Sequence, residues 1–326
     1  MGKEVWHYAY PAAPATTDRR CAEYPGPRAT PTVDGDCVYT VSLDGHLHGF
    51  DAASGKVLWD KKLVDEFQIG PKQWNYGFAG SPLVVGGKLI VHLGAGAAAL
   101  EKDTGKVVWH WHDKDDDAGG YASPVLFDNA GKPALAILTT SLVTLDPDKG
   151  EELWRVNRFQ PYDHGLNGAA PVFSDNLVFL SQGNYTRGCG VWRFVAAKPA
   201  SVWRNEGEAA SLLVHFPTPV LRQGYLYGPH NGRLRCVELA TGKVAWTADD
   251  IRSEKYLSVI LAGGRLLVLT DKGELVVVAP DPQACKILAR AKVIDGPAWA
   301  GPALAGGRLY CRNNKGDLAC YDLQKN

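Results

Sequence analysis

Apolar residues along this chain fall in short runs, such as Cys37-Val38-Tyr39-Thr40-Val41 and Arg308-Leu309-Tyr310-Cys311, divided by glycine-bearing turns. Short apolar runs bounded by turn residues predict β-strands, and no stretch sustains the 3.6-residue period of an amphipathic helix. Most first strands of a group open with a small residue or proline and an apolar pair. They begin at Pro31, Pro82, Pro124, Pro171, Pro219, Ser258 and Pro302. Proline is tolerated there because the first residue of a strand owes no ladder donor. Tight turns follow at Asp34-Gly35, Gly86-Gly87, Asn129-Ala130-Gly131, Asp175-Asn176, Gln223-Gly224, Gly263-Gly264 and Gly306-Gly307, the chemistry of primed hairpin turns. Seven antiparallel sheets are predicted.

A second motif runs in phase with the first. An acid stands eight residues before a tryptophan, with a glycine between: Asp51, Gly55 and Trp59; Glu101, Gly105 and Trp109; Asp146, Gly150 and Trp154; Glu238, Gly242 and Trp246. Degenerate copies are Trp203, which lacks the acid, and Asp281 with Ala289, which lacks the tryptophan. The spacing of 43 to 50 residues between copies is that of a β-propeller blade. The predicted fold is therefore all-β, a seven-bladed propeller of four-stranded antiparallel blades forming one domain over residues 1–326. The blades are expected at 28–63, 78–113, 120–158, 167–206, 215–250, 256–293 and 299–326. The last stops before its Gly-Lys-x-x-Trp strand, and Gly2-Lys3-Glu4-Val5-Trp6 supplies that pattern at the other end. Residues 2–10 are thus expected to complete blade 7 and close the ring, leaving no free sheet edge. The tryptophans are expected to pack on the neighbouring blade, with the acid and glycine shaping the turn before them.

Composition narrows the partners. Lys+Arg and Asp+Glu are equal at 35 each and no basic run occurs, so nucleic acid is not an expected partner. No apolar stretch is long enough to cross a bilayer as a helix, and the first residues lack the layout of a signal peptide. Seven cysteines without a Cys-x-x-Cys pattern fit neither a zinc site nor a simple disulfide framework. A monomer is expected.

The stretch Leu47-His48-Gly49-Phe50-Asp51-Ala52-Ala53-Ser54-Gly55-Lys56-Val57-Leu58-Trp59 resembles the repeat of pyrroloquinoline-quinone (PQQ)-like propellers. That superfamily includes quinoprotein alcohol dehydrogenases and the propeller lipoprotein of the outer-membrane assembly machinery. Residues 26–35, Gly-Pro-Arg-Ala-Thr-Pro-Thr-Val-Asp-Gly, resemble exported PQQ-like repeat proteins of planctomycete-type bacteria. The resemblance implies export, to the periplasm for example. It also implies relatives of eight blades whose sequences begin with a signal peptide, so this chain reads either as a shortened form or as a natural seven-bladed one.

A quinone-dependent dehydrogenase would need Ca²⁺ held by Glu, Asn and Asp oxygens, and in the alcohol dehydrogenases two adjacent cysteines. No Cys-Cys occurs, and no such oxygen set can be matched by motif. No cofactor is therefore expected, PQQ with Ca²⁺ being the alternative. Asp113-Lys114-Asp115-Asp116-Asp117 resembles a Ca²⁺ loop without its glycine and closing glutamate. His46 with His48, and His110 with His112, offer two ligands apiece and no third.

Loops that lead into each blade are rich in aromatic and hydrogen-bonding residues. They carry Arg28, Trp74, Tyr76, Tyr121, His164, Asn167, His215 beside Phe216, Lys255 beside Tyr256, and Trp299. Rigid aromatics flanked by polar groups suit a planar ligand or an anchoring peptide. The leading expectation is a non-catalytic propeller that binds a protein partner or small ligand there. The alternatives are a PQQ-dependent dehydrogenase with a divergent site and a truncated or engineered scaffold without native activity.

Overall fold

Two-residue turns set the architecture. Gly263 and Gly264 both have positive φ, the conformation a primed turn demands, and Ala262 pairs with Arg265 across them. Gln223 and Asp175 hold the same left-handed conformation without being glycine, at φ 49° and 48°. Each lead-in strand is thereby folded straight back on the next. The computed structural model describes residues 2–12, 27–70, 76–114, 119–157, 168–183, 188–195 and 198–324.

Blade 1 pairs Thr32–Asp34, Cys37–Val41, His46–Asp51 and Val57–Lys62 in that order. The same meander recurs over 83–112, 125–156, 172–206, 220–252 and 257–292, each with four strands. Blade 7 has three, Ala303–Ala305, Arg308–Arg312 and Leu318–Asp322. The fold is a seven-bladed β-propeller with almost no helix, the described residues holding one α-helical turn at Leu63–Glu66 and a 3-10 turn at Gly207–Ala209. The chain divides into two compact units, residues 1–170 with 195–199, and residues 171–194 with 200–326.

In both units the repeat motif is a junction between consecutive blades. The Trp59 indole N–H donates to the Lys102 carbonyl at 2.9 Å, Trp109 to Pro147 at 3.1 Å, Trp203 to Leu239 at 2.8 Å and Trp246 to Asp281 at 2.8 Å. The Trp59, Trp109 and Trp203 rings lie against the turn glycine of the next blade, whereas Cys285 stands at that position beyond Trp246. A Cβ added to Gly105 would stand 2.6 Å from the Trp59 ring, and one added to Gly150 2.6 Å from Trp109. Acids shape the turn itself: Asp51 Oδ1 accepts from the Ser54 amide at 2.7 Å, and Gly55 closes onto the Asp51 carbonyl at 2.9 Å. Trp154 differs in donating to Asn129 Oδ1 of its own blade at 3.3 Å.

Residues 2–10 depart from expectation. They carry no strand pairing, and blade 7 keeps three strands among the described residues. Side chains hold the segment instead. Trp6, Tyr8 and Tyr10 alternate onto one face and pack on Phe50, His48 and His46 of blade 1, with ring centroids 4.5 to 5.9 Å apart. Trp6 donates to the Ala52 carbonyl at 2.8 Å, and its ring covers Gly55. It therefore makes on blade 1 the contact that Trp59 makes on blade 2.

Cores form where the flat faces of consecutive blades meet. Tyr39, Leu47, Leu89, Val91 and Leu100 fill one such layer, and Tyr227, Leu234, Leu266, Val268 and Val276 another. Replacing Trp109 by Ala is expected to cost about 3–5 kcal/mol in urea unfolding. Gly105→Ala adds the Trp59 collision to left-handed strain and should cost well over 1 kcal/mol. Gly87→Ala, with nothing within 4 Å and no positive φ, serves as the near-neutral control.

Candidate functional site

Strand register locates one equivalent residue at the mouth of every blade. In blade 1 Trp59 pairs with Gly49, Gly49 with Tyr39 and Tyr39 with Thr32, just after Pro31. Blade 6 follows the same path from Ala289 through Val277 and Leu267 to Ile260. Val259 is thus the counterpart of Pro31, one residue later than the sequence motif placed it at Ser258. The shift escapes sequence reading because this strand begins early and runs Leu257–Ala262, with no proline to mark its start. Counting back three residues from the lead position gives Arg28, Ala79, Tyr121, Gly168, Phe216, Tyr256 and Trp299. Five of the seven are aromatic or cationic, and none is acidic.

In the second unit these residues meet. Phe216 lies 5.3 Å from Tyr256, and Tyr256 stands edge-on to Trp299 at 5.0 Å. His215 lies against Phe216 at 3.9 Å and 6.2 Å from Tyr256. Lys255 Nζ sits 5.6 Å from the Trp299 ring centroid, within cation–π range. Phe216 remains 48% exposed, so the row presents aromatic surface to solvent.

Asp271, a residue the sequence reading did not single out, holds this row in place. Its Oδ2 accepts from the Lys255 amide at 2.8 Å, and its carbonyl accepts from the Ala298 amide at 2.9 Å. The residues next to Tyr256 and Trp299 are thereby tied to one buried residue, one through its side chain and the other through its backbone. Asp271 Oδ1 is enclosed without a hydrogen-bond partner. No spacing in the sequence marks Asp271, because it acts across two loops through backbone groups. Burial pushes the His215 imidazole down to about 4, so it is uncharged at neutral pH.

The first unit holds a smaller group. Tyr76 meets Tyr121 edge-on at 5.8 Å, and the Tyr76 amide donates to the Tyr121 hydroxyl at 3.4 Å. Arg28 has Nη1 enclosed without a hydrogen-bond partner. Trp74, His164 and Asn167 lie outside the described residues.

Other sequence-level candidates resolve into packing. His48 is buried under Tyr8, Tyr10 and Phe50, and burial lowers its pKa. His46 contacts Asp44, and burial there is outweighed by Lys62 and Ser42, which bring the Asp44 carboxyl down to about 2. Asp113 is buried and pairs with Arg155 at 3.2 Å, while Asp115, Asp116 and Asp117 lie outside the described residues. Burial pushes the Cys189 and Cys236 thiols up to about 11, away from nucleophilic use. Among the described residues, no three His, Cys, Asp or Glu side chains are grouped so as to hold a metal ion. The period-2 run Trp6-x-Tyr8-x-Tyr10 was the available signal for a partner of the His46 and His48 face.

A histidine with a folded pKa below its unfolded value of about 6.5 leaves stability intact above that pH. Stability is then lost as pH falls from about 6.5 towards 4, by roughly 2–3 kcal/mol for His215. Thermal unfolding from pH 7 to 4 should show a shallower acid decline for His215→Phe than for wild type. The decline that remains includes His48.

Comparison with known proteins adds a lineage. The sequence profile of the family described as outer membrane protein assembly factor BamB matches residues 1–248 and 230–326. BamB of Shewanella oneidensis is 27% identical over 267 residues, 75% of this chain and 61% of that protein. Quinohemoprotein alcohol dehydrogenase ADH IIB of Pseudomonas putida is 31% identical over 137 residues, 40% of this chain and 19% of that enzyme. The chain therefore spans less than two thirds of the length of either relative. Among solved structures, BamB from Moraxella catarrhalis superposes with a TM-score of 0.69 at 16% identity, covering 90% of this chain and 85% of that one.

Proposed function

The chain belongs to the family of outer membrane protein assembly factor BamB, and on that footing we propose that it is an exported, non-catalytic propeller that binds a protein partner through the mouth of blades 5 to 7. The observation that carries this reading is the row Phe216, Tyr256 and Trp299, in ring contact on three successive blades and partly open to solvent. Rigid aromatics lose little conformational entropy on contact and dominate the energetics of binding surfaces. Blade sheets fix their backbone on both sides, so the row is organised before a partner arrives. The relatives named as assembly factors favour a protein partner and the cell envelope.

Panning a random peptide library on the wild-type chain, with Tyr256→Ala/Trp299→Ala as the counter-target, should enrich peptides that bind the variant at least about tenfold more weakly, a difference of about 1.4 kcal/mol. Peptides that bind both proteins alike would remove the partner surface from this mouth. Saturable calorimetric binding of PQQ with Ca²⁺, abolished by the same double variant, would overturn the reading in favour of a quinone site.

A further inference from the structure

Among the described residues beside the aromatic row, Lys255 is the charge left to act, and the acids near it are engaged or enclosed. Lys255 is exposed, and its ammonium makes no ion pair among the described residues. Some lysines elsewhere are taken up by carboxylates: Lys62 pairs with Asp44 at 2.7 Å, Lys88 with Asp148 at 2.7 Å, and Lys102 with Asp34 at 2.5 Å. Glu254, the acid adjacent to Lys255 in sequence, is engaged by Lys272 at 2.9 Å. Asp271 spends one oxygen on the Lys255 amide and has the other enclosed. His215 is neutral, and none of the seven aligned lead-in residues is acidic. A cationic ligand would meet Lys255 already on the Trp299 face, whereas a carboxylate would complete it. The single ammonium matches the one negative charge of a carboxylate rather than the roughly doubled charge of a phosphate monoester. The aromatic groups run in a row across three successive blades, which suits an extended segment.

We infer that this mouth takes an acidic peptide segment, in which an aromatic or large aliphatic side chain lies against Phe216, Tyr256 and Trp299 and a neighbouring carboxylate pairs with Lys255. The inference rests on the reading of this mouth as a partner surface. Three fluorescein-labelled, end-blocked peptides separate the two, each with a central Phe flanked by Glu, by Gln or by Lys. Binding is followed by anisotropy with wild type, Lys255→Gln, Lys255→Glu and Trp299→Ala. The Lys255 side chain is exposed, so its variants should keep wild-type circular dichroism and Tm.

Wild type should bind the Glu peptide about tenfold more tightly than the Gln peptide, with the advantage shrinking as salt is raised. Lys255→Gln should remove the difference, and Lys255→Glu should transfer the preference to the Lys peptide. Equal binding of the Glu and Gln peptides to wild type, weakened together by Trp299→Ala, would sink the acidic class and leave the partner surface standing. Binding indifferent to Trp299 would remove both readings. Failure of all three peptides to bind would refute the acidic-segment inference, while the library selection still decides the surface.

Discussion

One contact recurs at four places among the described residues of this molecule, an indole laid on a turn glycine. Each blade is a small twisted sheet with an apolar face too large to leave in water and too small to be stable alone. The outer-strand tryptophan covers that face, and its N–H finds a carbonyl one blade further on. Only glycine permits the approach, because its φ near +70° places a backbone turn where any Cβ would strike the ring. The acid eight residues upstream of the tryptophan ties that turn, so a local hydrogen bond and a long-range junction are built from the same few residues.

The fold was therefore legible from residues whose chemistry is local. Glycines at turns, prolines at strand starts and the acid-to-tryptophan spacing each report a backbone requirement that the sequence states directly. Blade 6 shows the limit: with no proline or tryptophan to mark the phase, its lead-in was read one residue early, and only the ladder from Ala289 to Ile260 corrects it. Residues 2–10 show a second limit. Their pattern named the kind of strand they resemble, and Trp6 does make the expected contact, but the pattern says nothing of whether the backbone pairs.

The aromatic row was less legible. Tyr256 and Trp299 stood out as polar-flanked aromatics, yet what brings them together is Asp271, whose Oδ2 and carbonyl reach two loops from a turn in blade 6. Backbone-mediated ties of this kind leave no spacing signature. Electrostatics are similarly hidden. The fold gives Glu254 to Lys272 and leaves its sequence neighbour Lys255 over an indole, a division that adjacency in the chain does not reveal.

Ala289 stands in blade 6 where the other blades carry an indole, and blade 7 beyond it keeps only three strands among the described residues. Leu267, Leu269, Leu309 and Cys311 carry that boundary by side-chain packing, with the Tyr321 hydroxyl donating to the Val293 carbonyl at 2.5 Å. A junction without its indole forgoes about 3 kcal/mol of what its neighbours enjoy. In the language of native-state fluctuations, a boundary held by side-chain packing without an indole opens at a lower free energy than the junctions beside it, and amide exchange in blade 7 is expected to outpace that in blade 5.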